Sequence, residues 1–79
     1  MPFFFLHIRD GDQLIRDPDG TFLHDLEAAH SEAIESAREL MAHSIVGKGL
    51  IGIERSMVIC DASDATLLVV PFRDAIAFN

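Results

Sequence analysis

One stretch of this chain repeats with the period of an α-helix, and the segments around it alternate with the period of a strand. From Leu26 to about Ile45, the residues Leu26, Ala29, Ala33, Ala37, Leu40, Met41 and Ser44 fall in one stripe at about 100° per residue. Glu32, Glu35, Glu39 and His43 fall on the opposite side. Asp25 precedes the stretch as an N-cap, because its carboxylate can accept from the free amides of the first turn. Glu27 adds favourable charge there. Gly47 and Gly49 stop the helix, with Gly47 expected in the left-handed cap position. A single helix covers one face of a sheet, so the other face must be dealt with some other way.

The strand segments make that demand concrete. Phe3 to Arg9 alternates, with Phe4, Leu6 and Ile8 on one face and Phe3, Phe5, His7 and Arg9 on the other. Asp10-Gly11 signals a tight turn into a short strand over Gln13 to Asp17. Asp17-Pro18-Asp19-Gly20 signals a second turn, followed by a short strand from Thr21 to His24. Beyond the helix, Ile53 to Asp61 reads as a strand, with Ile53, Met57 and Ile59 opposed to Val58 and Cys60. Residues 61–65 have hairpin-loop length, and Thr66 to Phe72 is apolar on both faces. Pro71 cannot donate to a ladder, which places this strand at an edge or ends it there. Residues 74–79 read as a short tail. The expected architecture is α+β with order β-β-β-α-β-β, one helix packed on one face of a mostly antiparallel sheet. Residues 1–79 are expected to form a single small domain.

Size and charge narrow the partners. A chain of 79 residues with 49% apolar side chains is too apolar for disorder, yet its core is small. The lone Cys60 has no intrachain disulfide partner, and no Cys/His pair has zinc-finger spacing, so self-association is the stabiliser left. Thirteen acidic against six basic side chains leave a net charge of −7. That balance disfavours nucleic acid and anionic membrane surfaces as partners. The apolar start, Met1 to Leu6, is too short for a leader or a membrane span, and a cytoplasmic location is expected.

Motifs that carry chemistry are few. Gly47-Lys48-Gly49-Leu50-Ile51-Gly52 matches the dinucleotide fingerprint by letter, but it follows a helix and precedes a strand, the reverse of what a pyrophosphate site needs. The acidic turn over residues 15–20 mimics a calcium loop but has Ile15 and Leu26 where essential ligands belong. No serine sits in a nucleophile elbow, and Cys60 lies in an apolar strand. No catalytic residue, cofactor or metal is therefore expected. His30 is placed at the border of the helical stripe, as a hydrogen-bonded histidine. His7 shares a strand face with Arg9, and Asp10 opens the next turn. These three form a candidate binding cluster for an anion or a proton, with a structural His–Asp hydrogen bond as the competing explanation.

Three segments together carry a resemblance. They are Phe4-Phe5-Leu6-His7-Ile8-Arg9-Asp10-Gly11-Asp12, then Asp19-Gly20, then Asp25-Leu26-Glu27-Ala28-Ala29. They resemble a family of short bacterial proteins catalogued only as a domain of unknown function, and Val70-Pro71-Phe72-Arg73-Asp74 looks like that family's ending. His30 stands where the pattern usually has a basic or another polar residue. The resemblance implies no activity, cofactor or catalytic residue. A weaker, fold-level likeness is to the antitoxin of the HicAB toxin–antitoxin pair.

The expected function is that of a non-enzymatic protein-interaction module acting as a homodimer, with Phe3, Phe5, Leu67 and Val69 as the dimer surface. The alternatives are an antitoxin-like acidic regulator of a basic partner protein, and a small-ligand binder built on His7, Arg9 and Asp10.

Overall fold

A computed structural model describes residues 2–76. The elements run β1 (Phe3–Asp10), β2 (Gln13–Ile15), β3 (Thr21–Phe22), α1 (Leu26–Lys48), β4 (Ser56–Cys60), β5 (Thr66–Pro71) and a closing 3₁₀ turn, Phe72–Ala75. The strands make one five-stranded sheet in the order β2-β1-β4-β5, with β3 also pairing with β1, and every pairing is antiparallel. One helix against this sheet is the expected α+β arrangement.

The helix forms where its period places it. Asp25 accepts from the Ala28 amide at 2.8 Å and caps the N-terminus. Ala29, Ala33, Ala37 and Met41 are buried, and their small side chains bring the helix close to the sheet. Phe4, Met57, Ile59, Val70 and Phe72 meet them from the sheet side. Leu26 departs from the expected stripe, being 40% exposed at the helix start. His30 is exposed rather than at the border of the stripe.

Several boundaries differ from the sequence reading. The helix runs through Gly47 to Lys48, and Gly49 is the left-handed cap, with φ 71° and its amide on the Ile45 carbonyl. Gly47 keeps ordinary helical backbone because the next residues still satisfy their amides within the helix. β4 starts at Ser56, because Gly52, at φ 69°, and a tight turn on Arg55 delay the extended backbone. Arg55 holds that turn in place: it donates to the Gly52 carbonyl and the Ser44 hydroxyl, and its guanidinium lies 4.8 Å over the Phe72 ring. β2 is shorter than expected because Arg16 and Asp17 leave the ladder for side-chain bonding described below, and β3 keeps its expected start at Thr21 but ends at Phe22. β5 ends at Pro71 rather than Phe72, and a 3₁₀ turn over Phe72–Ala75 takes in the end of the expected strand and the start of the expected tail, tied to α1 by Arg38 donating to the Ala75 carbonyl. Met1 and residues 77–79 lie outside the described residues.

The parity of the strands is as expected, except at Leu67. Phe4, Leu6, Ile8, Met57, Ile59, Leu68 and Val70 face the helix. Phe3, Phe5, His7, Val58, Cys60 and Val69 share the outer face, and the register shifts at Ile59/Cys60 so that Thr66 pairs with Cys60 and Leu67 is the extra residue of a bulge, 42% exposed. That outer face is not wholly bare, however, since His7, Val58 and Cys60 are almost fully buried.

Candidate functional site

What covers the middle of the outer face is a pair of loops pinned to His7. The first loop follows β2 and brings Arg16 and Asp17 alongside β1. The Asp17 amide donates to His7 Nδ1 at 2.9 Å. Asp17 Oδ2 accepts the Leu6 amide at 3.2 Å, and its Oδ1 accepts the Asp19 and Gly20 amides at 3.1 Å each. One aspartate thus fills the gap between β2 and β3 on the β1 edge and folds the following turn. Gly20 stands at φ 67°, where a Cβ would run into the Phe3 ring, so this turn requires glycine.

The second loop is the β4–β5 hairpin. Asp61 Oδ1 accepts from the Ser63 amide, the Ser63 hydroxyl and the Ala65 amide, which curls the loop back over the sheet. Asp64 sits in the left-handed region at φ 68°, a conformation that aspartate tolerates better than most residues. Its carboxylate takes two donors: His7 Nε2 on Oδ1 and Arg16 Nη1 on Oδ2, both at 2.8 Å. The Phe5 ring stacks on His7 with centroids 5.8 Å apart.

These contacts fix the chemistry of His7. A backbone amide can only donate, so Nδ1 must offer its lone pair and the ring proton sits on Nε2. The imidazole is neutral and both nitrogens are engaged. The acids respond in the same sense. The Arg16 guanidinium, and then His7, hold the Asp64 carboxyl below the usual range. Burial pushes Asp17 up, but the Gly20, Leu6 and Asp19 amides together outweigh it and leave it lowered. The Ser63 hydroxyl and then the Ala65 amide lower Asp61.

His7, Cys60 and Asp64 also bring three potential metal-ligand atoms within 4.8 Å of one another. The hydrogen bonding does not fit an ion there. A metal on Nε2 needs the ring proton on Nδ1, and the Asp17 amide already donates to that nitrogen. The cluster is satisfied as a hydrogen-bonded group.

Of the residues singled out from the sequence, His7 is buried at 3% exposure, whereas Arg9 and Asp10 are exposed near the end of β1. The hydrogen bonds of the described residues join His7 to Asp17 and Asp64, not to Arg9 or Asp10. Phe3 and Phe5 are half-buried, and Leu67 and Val69 are 42% and 49% exposed. The sequence pattern does not mark Asp17 and Asp64 as partners of His7, nor Arg16 as the second donor to Asp64. Asp64 lies 57 residues away, and no local pattern marks such a pairing.

The architecture is thus a small α+β domain with a clamped histidine on its outer sheet face. A family model matches residues 3–73, and the chain belongs to that family, described as a domain of unknown function (DUF6894). No curated protein and no solved structure matches the chain, so the antitoxin likeness has no support from these comparisons. No helix among the described residues is long and apolar enough to cross a membrane.

Proposed function

We propose that this chain is a non-enzymatic interaction module that works as a homodimer, two copies meeting through the outer faces of their sheets. One observation carries the reading: an apolar surface remains on either side of the His7 clamp. Phe22, 61% exposed, packs edge-on against Phe3 on one side, and Leu67 and Val69 lie on the other. A face of this kind, rimmed by charged loops, fits a self-complementary contact. The engagement of both His7 nitrogens supports a structural role for that residue rather than proton transfer. A single buried thiol, Cys60, supports placement in the cytoplasm.

Sedimentation equilibrium at micromolar concentration tests the proposal. We expect twice the chain mass of 8.7 kDa, and Val69→Glu should return the monomer. A wild-type mass of 8.7 kDa would overturn the dimer.

A further inference from the structure

The opposite side of the sheet carries a second surface that the dimer reading leaves unused. Between α1 and the short strands β2 and β3 lies an open groove of about 400 Å³. Its floor is apolar, made by Leu6, Ile8, Leu40 and Met57. Its rim is acidic, with Asp17 on the sheet side and Glu32 and Glu39 on the helix side. No lysine or arginine lines it. The ion pairs among the described residues involve neither Glu32 nor Glu39.

The groove exists because β2 stops at Ile15 and β3 begins only at Thr21. The interval leaves the outer edge of β1 without a partner strand around Leu6, where Asp17 takes the Leu6 amide while β4 pairs on the other edge. Along α1 the lining runs from Glu32 to His43. At 1.5 Å per residue that is about 16 Å, the length of about five residues of extended chain. A long apolar trough with carboxylates on both rims is complementary to a chain that alternates apolar and cationic side chains. Apolar groups would reach the floor while ammonium or guanidinium groups meet the rim.

We propose that this groove binds a basic, amphipathic segment of a partner protein, laid along α1 with its cationic side chains on Glu32, Glu39 and Asp17. The groove lies on the helix side of the sheet and shares Asp17 with the outer-face loops, so its test through Glu32 and Glu39 is independent of the dimer.

The probe is a five-residue peptide alternating lysine and leucine, acetylated and amidated, titrated into ¹⁵N-labelled full-length chain. Amide shifts should gather at Leu6, Ile8, Ser36 and Leu40, and binding should weaken as salt rises. A lysine–serine peptide of equal charge should bind at least about tenfold more weakly, because it brings nothing for the floor. The double variant Glu32→Lys with Glu39→Lys should lose about tenfold in affinity. The control pair, Glu35→Lys with Glu54→Lys, changes net charge equally on exposed positions outside the groove and should stay within about twofold. Amide dispersion checks that each variant is folded. Equal binding of the two peptides, equal loss in both double variants, or shifts gathered at Phe22, Leu67 and Val69 would each overturn the proposal.

Discussion

His7 shows how a polar residue is accommodated beside an apolar core. Its imidazole accepts from the Asp17 amide and donates to Asp64, so burial leaves neither nitrogen unpaired. Removing the ring strands the Asp17 amide and opens a cavity beneath the Phe5 ring. His7→Ala should therefore cost about 2–4 kcal/mol in urea unfolding. His7→Asn keeps an acceptor near the Nδ1 position and should cost less than the alanine variant. Equal losses would mean that packing alone holds the residue. A second residue-scale contrast lies in the turns. Gly11 and Gly20 both have positive φ, but a Cβ at Gly11 meets open space while one at Gly20 meets Phe3. Gly11→Ala should lose about 1–2 kcal/mol from backbone strain, and Gly20→Ala distinctly more. Thermal melts of the two variants order them.

At the scale of elements, α1 depends on its first turn. Asp25→Ala removes the bond to the Ala28 amide and should cost about 1 kcal/mol, read as a lower melting temperature without loss of the fold. This cap was legible in the sequence because capping is local: an aspartate directly before a helical stripe is enough. Strand parity was legible for the same reason, since alternation decides which of Phe4 and Phe5 faces the helix. The helix stop was harder. Gly47 and Gly49 are equal candidates by composition, and the choice falls on the residue whose amide reaches back to the Ile45 carbonyl. The loops over the outer face were not legible. The pairing of His7 with Asp64 depends on β1 and β4 being neighbours, and the Arg16 contact depends on where β2 breaks off. Those are consequences of the assembled sheet, and neither leaves a mark in the local spacing. The sequence thus points to His7 without showing its partners, and Arg9 and Asp10, its neighbours in sequence, take no part in its hydrogen bonding.

The whole molecule responds to acid through the same loops. Asp17, Asp61 and Asp64 all have carboxyls held below their ordinary value of 3.8. Between the folded and unfolded values the unfolded chain binds more protons, so stability rises with pH in that window. The contribution is fully present above 3.8 and is lost as the pH falls through the lowered folded values. Melting temperature should therefore hold from neutrality down to the ordinary carboxyl value of 3.8 and fall below it. Asp17→Asn should flatten that acid limb. An acid limb as steep in the variant as in the wild type would show that Asp17 contributes little to it.

The Asp17 carboxylate on the Leu6 amide has a bearing on how the sheet's border meets other chains as well as on the fold. Strand borders with free amides recruit other chains, and a small sheet with a phenylalanine-rich first strand is a natural template for fibrils. Here a side chain occupies the amide that the break between β2 and β3 would leave open, and Pro71 closes the end of the opposite border. Each border is thus blunted at one point, by a carboxylate on β1 and by a proline at the end of β5, which shortens the run of amides that another strand could join.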